Sequence, residues 1–149
     1  MMKYSLILFL GVFALSPLIG QEQPVRWSYA AEALGENEYE LRFTAEIREG
    51  WYLYSQYLSD GGPIPTTIAP EESPLYTLKG DMKEDGKAIE GMDELFGIAV
   101  KKFKERAVFT QRVEVKEGLQ EISGYIEFMS CNDEMCLPPR EIPFVIFFR

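Results

Sequence analysis

The chain has 149 residues, a formal charge of −9 and no histidine. The missing imidazole removes the commonest general base, the commonest metal ligand and the usual activator of cysteine or serine. That argues against a hydrolase triad and against a zinc site on two cysteines. The acidity argues against nucleic acid or an anionic membrane surface as partner, because the one basic run, Lys101-Lys102-Phe103-Lys104, is short and Glu105 follows it. Sulfur chemistry, carboxylate chemistry or plain binding remain, on a chain long enough for one domain with a real core.

The N-terminus reads as a secretory leader. Lys3 is its basic region, LILFLGVFAL (residues 6–15) its apolar core, and SPLIG (residues 16–20) ends in a small residue. Cleavage is expected after Gly20, leaving residues 21–149 as a single mature domain. An uncleaved anchor is the alternative, though the apolar run is short for a span. No cysteine stands at the cleavage point to take a lipid, and no other stretch could cross a bilayer, so no stable membrane insertion is expected after cleavage. Export would put both cysteines in an oxidising compartment, where a disulfide forms.

Residues 25–34 read as a first strand. Tyr39, Leu41, Phe43, Ala45 and Ile47 then alternate strictly with Glu40, Arg42, Thr44, Glu46 and Arg48, so one face is buried and the other is wet. Residues 51–58 (WYLYSQYL) form an aromatic-dense strand. Trp51, Leu53 and Ser55 point one way; Tyr52, Tyr54 and Gln56 point the other. Two tyrosines on one face could line a site, or simply pack against a loop. Residues 66–68 and 75–78 are short strands between proline and glycine punctuation.

Residues 80–97 are polar, rich in glycine, and read as a long excursion. They carry Asp93-Glu94-Leu95-Phe96-Gly97, whose large apolar residues need somewhere to dock. Residues 99–103 and 107–116 are two further strands. Ile122, Gly124, Ile126 and Phe128 face inward. The same alternation puts Cys131 on the opposite face, away from the deepest core unless a bulge intervenes. No segment sustains a helical period. Seven to nine short strands with turns between them imply an antiparallel β-sandwich.

The last 26 residues, from Gly124 on, hold both cysteines, Cys131 and Cys136. Two β-rich runs flank a polar, proline-containing connection, a hairpin-like unit with the cysteines at the neck of its loop. Such sulfurs can come within bonding range. A bond closing about six residues stabilises by only about 2 kcal/mol, against about 4 for one closing about sixty. A weak staple in a poor place favours a redox role, while a local clasp in an exported protein stays open.

The pattern Gly124-Tyr125-Ile126, Cys131-x4-Cys136-Leu137-Pro138-Pro139, Ile142-Pro143-Phe144 resembles the N-terminal periplasmic domain of DsbD, the bacterial thiol–disulfide interchange protein. Trp51-Tyr52-Leu53-Tyr54 resembles that family's aromatic strand, and Asp93-Glu94-Leu95-Phe96-Gly97 its cap loop. The resemblance spans about residues 25–149. It implies an immunoglobulin-like sandwich, a redox pair at Cys131 and Cys136, a cap at residues 93–97 and a lining of Tyr52 and Tyr54. No cofactor and no metal are expected. The resemblance implies a periplasmic location and partners that are thioredoxin-like or membrane thiol–disulfide proteins, met through a transient mixed disulfide formed by Cys136. The chain departs from the family in three ways. The cysteine spacing is one residue shorter, Leu95 replaces an aromatic, and the sequence ends at Arg149, so electrons are expected from a separate protein, or the domain has been repurposed. No Lys or Arg sits inside the cysteine loop to favour a thiolate, and Asp133 and Glu134 oppose one if close. The rival reading is a non-catalytic immunoglobulin-like binding module with a structural disulfide; an acidic carboxylate enzyme has no carboxylate pair singled out by context.

Overall fold

The computed structural model describes residues 23–148; the leader expected at residues 1–20 lies outside them. Nine strands follow in order: β1 (Val25–Ala33), β2 (Glu38–Ile47), β3 (Tyr52–Tyr54), β4 (Thr67–Pro70), β5 (Tyr76–Asp93), β6 (Ile98–Val115), β7 (Glu121–Phe128), β8 (Ser130–Cys131) and β9 (Arg140–Phe147). All pairings are antiparallel. One sheet runs β1-β2-β6-β3-β8, with β5 also paired to β6; the other runs β4-β7-β9. Among the described residues no helix is long and apolar enough to cross a membrane.

The expected alternation builds the core between the sheets. Leu41, Phe43, Ala45 and Ile47 of β2 meet Ile122, Ile126 and Phe128 of β7 and Phe144 and Ile146 of β9 in one buried cluster. The rings of Phe43 and Phe144 touch across it edge to face, with centroids 4.9 Å apart. Gly124 stands on the inward face because nothing larger fits. A Cβ there would lie 2.3 Å from the Ala69 carbonyl oxygen and 2.6 Å from the Phe144 ring.

Three expectations are corrected. Residues 80–97 are not a long excursion: β5 runs unbroken from Tyr76 to Asp93, and only residues 94–97 are turn. Two of the glycines that read as loop punctuation, Gly80 and Gly86, mark irregularities inside the strand. Register shifts fall between Lys79 and Lys83 and between Gly86 and Lys87, and Gly80 has a φ of 67°. As an edge strand beside β6 alone, β5 buries few side chains, so it lacks the alternation that betrays a strand. Likewise, the two strands expected at residues 99–103 and 107–116 are one. Glu105, at φ 66°, carries β6 through the bulge between them. The aromatic strand at residues 51–58 is shorter than expected. β3 ends at Tyr54, although the Ser55 N–H still donates to the Lys101 carbonyl at 3.0 Å.

Candidate functional site

The site begins with strand parity. Leu53 of β3 lies opposite Phe103 of β6, and both enter the main core. Tyr54 lies opposite Lys102, so Tyr52, Tyr54 and Lys102 occupy the other, outer face of the larger sheet. The chain leaves β7 at Phe128, passes Met129 and joins the other sheet as β8. Alternation survives the crossing. Ser130 pairs with Leu53 on the inner face, and Cys131 pairs with Tyr52 on the outer face. Cys131 is therefore turned away from the main core, as its position in the pattern implies. It is nevertheless only 1% exposed, because a second cluster encloses it. Tyr54 and Val100 are the other fully buried members, with Phe96, Ile98, Met129, Leu58 and Cys136 packed around them.

Cys131 and Cys136 are disulfide-bonded, their Cα atoms 4.0 Å apart. The Asn132 N–H donates to the Met135 carbonyl and the Leu137 N–H to the Ser130 carbonyl, both at 2.9 Å. Those two bonds bracket the cysteines and make them a non-hydrogen-bonded antiparallel pair, the position where Cα atoms approach most closely. The Asn132 side-chain oxygen accepts from the Glu134 and Met135 N–H groups at 2.9 and 2.8 Å and fixes the turn. The expected hairpin with cysteines at its neck is what the backbone forms. Cys136 is half-buried, whereas Asp133, Glu134 and Met135 are exposed.

The β5–β6 turn packs against the cysteine cluster through Phe96. The Gly97 N–H donates to the Asp93 carbonyl at 2.7 Å, closing the turn, and the Leu95 N–H donates to the Asp93 carboxylate at 3.0 Å. Asp93 points inward and is 2% exposed. Its Oδ2 accepts from the Tyr54 hydroxyl at 3.1 Å and pairs with Lys102 Nζ at 3.0 Å. Lys102 Nζ also lies 4.3 Å from the Tyr52 ring centroid. Phe96 meets Tyr54 edge to face at 6.2 Å. The two apolar turn residues thus differ. Phe96 docks on the cysteine cluster, while Leu95 is 47% exposed and does not. Glu94 and Gly97 are on the surface.

The electrostatics follow from burial. Desolvation alone would raise the Asp93 carboxyl. The hydrogen bond and charge of Lys102, then the Leu95 N–H and the Tyr54 hydroxyl, outweigh it and hold Asp93 below the usual carboxylate range. Burial, and then the Asp93 charge and hydrogen bond, push the Tyr54 phenol above its ordinary value, so it stays a donor. Lys102 is the residue that sequence reasoning missed. It sat in a run judged only as a weak basic patch, and its place beside Asp93 depends on a hairpin that the sequence did not reveal. Between the turn and the cysteine loop lies an open groove of about 490 Å³, lined by Tyr52, Met92, Asp93, Leu95, Lys102 and Asp133 among others.

Together these define a class: an immunoglobulin-like β-sandwich with a disulfide at a sheet edge, beneath a hairpin turn. The chain belongs to the family described as thiol:disulfide interchange protein DsbD, N-terminal, whose model matches residues 21–145. No curated protein sequence matches it. Among solved structures it is similar to the DsbD N-terminal domain of Neisseria meningitidis in the reduced form, at 19% identity and a TM-score of 0.55 over 88% of this chain and 90% of that one. It is similar to the N-terminal periplasmic domain of ScsB from Proteus mirabilis, at 16% identity and a TM-score of 0.55 over 81% of this chain and 44% of that one. It is also similar to a chain in the complex between the DsbD N-terminal and PilB N-terminal domains of N. meningitidis, at 16% identity and a TM-score of 0.51 over 87% of this chain and 88% of that one. At such identities the structural likeness carries the fold. Family membership and the bonded pair are consistent with thiol–disulfide exchange.

Proposed function

We propose that this protein is a periplasmic thiol–disulfide exchange module that passes electrons from a membrane-linked thiol donor to oxidised periplasmic proteins. Export is assigned to residues 1–20 as a cleaved leader. The reduced form attacks a partner's disulfide through the Cys136 thiolate, forming a mixed disulfide and releasing one partner thiol. Cys131 then attacks Cys136, the protein disulfide closes, and the second partner thiol leaves. Two electrons pass to the partner, and the thiol donor restores the dithiol. Tyr52 and Tyr54 line the pair, and residues 93–97 cover it until a partner docks. Thioredoxin-like domains are the partners this reading favours; the complex between DsbD and PilB N-terminal domains supports a protein partner for the fold.

The observation that carries the reading is the asymmetry of the pair. Cys131 is sealed at 1% exposure, and Cys136 is half-buried at the mouth of the loop. One sulfur is reachable and the other stands behind it to resolve. Equilibration with dithiol buffers should give a reduction potential above about −300 mV; a value below that belongs to a structural disulfide and overturns the proposal. Cys131→Ser should trap a partner through Cys136, and Cys136→Ser should trap none.

A further inference from the structure

The mouth of the site has a chemistry of its own. Met92, Leu95 and Met135 are large apolar residues left 70%, 47% and 48% exposed around the cysteine loop and the turn that covers it. Glu94, Asp133 and Glu134 are exposed among them. Lys102, the cation lining the groove, is already tied to Asp93, whereas Glu94, Asp133 and Glu134 enter no ion pair among the described residues. The half-buried Cys136 closes the loop that carries Asp133, Glu134 and Met135, and the groove beside that loop is lined by Met92, Leu95, Glu94 and Asp133.

We infer that this groove docks disulfide partners whose own cysteine sits in an apolar centre ringed by lysine or arginine. The inference rests on the exchange reading above and names its substrate class. A basic rim would be drawn to Glu94, Asp133 and Glu134, and its apolar centre would cover Met92, Leu95 and Met135. An acidic partner would meet three like charges as its sulfur approached Cys136.

The test uses the reduced full chain and disulfide-linked dimers of short peptides. One has lysines flanking a Leu-Cys-Leu centre, one has glutamates there, and one has lysines around Ser-Cys-Ser. In each case Cys136 displaces one peptide thiol, Cys131 displaces the second, and the protein ends oxidised with two peptide thiols released. The quantity read is the ratio of rates for lysine and glutamate peptides, which cancels the intrinsic reactivity of the protein thiol. At low ionic strength the wild-type ratio should exceed that of a Glu94→Gln/Asp133→Asn/Glu134→Gln variant by about tenfold. In about 0.5 M salt the two ratios should converge. Replacing leucine by serine in the lysine peptide should slow the wild-type reaction severalfold. Equal ratios in wild type and variant, or a ratio indifferent to salt, overturn the docking inference and leave exchange standing. Failure of every peptide to oxidise the pair overturns both.

Discussion

The two faces of the larger sheet bury side chains in different ways. The inner face joins β2, β6, β7 and β9 in a cluster of interlocking Phe, Ile, Leu and Val residues drawn from both sheets. On the outer face a smaller cluster around Tyr54, Val100 and Cys131 is buried, with Phe96 of one turn packed against it. That turn is held by one aromatic contact, one buried carboxylate–lysine pair and the hydrogen bond from the Tyr54 hydroxyl to Asp93. The inner cluster cannot open without unfolding the domain. The outer one can open by moving a hairpin tip, and local opening of that kind draws on few apolar contacts. The difference teaches that one cysteine of a disulfide can be sealed from solvent without being built into the core.

The largest expected effect lies on the inner face. Phe43→Ala should destabilise the whole domain by about 3–5 kcal/mol, lowering thermal and denaturant midpoints together. If it changes access to the reduced thiols while the midpoint holds, the two faces are not separate units. On the outer face, Asp93→Asn leaves Lys102 largely buried without its partner. It should favour the open state by about 2 kcal/mol, read as roughly thirtyfold faster alkylation of the reduced protein. Unchanged alkylation would show that the ion pair does not hold the turn.

Acid acts on the same pair by titration. The Asp93 carboxyl is held below its ordinary value, so its contribution is whole above about pH 4 and fades as the pH falls through that lowered value. Nuclear magnetic resonance signals of the Leu95 and Gly97 amides, which report the turn, should hold from pH 6 to about pH 4 and shift below it. A shift centred above pH 5 would mean that Lys102 does not govern Asp93. The smallest effects separate the two apolar turn residues. Phe96→Ala should speed alkylation about tenfold, or roughly 1.4 kcal/mol of opening. Leu95→Ala, which removes a side chain that covers nothing buried, should change it less than about twofold. Equal effects from the two would contradict the packing at Tyr54.

Much of this was legible in residue order. The alternation of Leu41 to Ile47 and of Ile122 to Phe128 named the inward faces, and carried on through Ser130 it placed Cys131 outside the main core. Proline, asparagine and the β-rich flanks named the hairpin that holds the cysteines. Each of these rests on a local period of two, which a strand with one buried face must show. β5 escaped because an edge strand with polar residues on both faces has no period to show. Its glycines, of which Gly80 and Gly86 sit at register shifts, read as a loop.

What the sequence by itself determined is which residues face which way along each half-buried strand, because side-chain alternation is a property of the backbone alone. Only the tertiary structure decided what lies over the outer face. The ties from Asp93 to Lys102 and Tyr54, and the choice of Phe96 rather than Leu95 to meet the sulfur cluster, depend on pairings between residues far apart in the chain. No local pattern encodes such pairings, since they are set by how β6 bends at Glu105 and where its hairpin tip comes to rest.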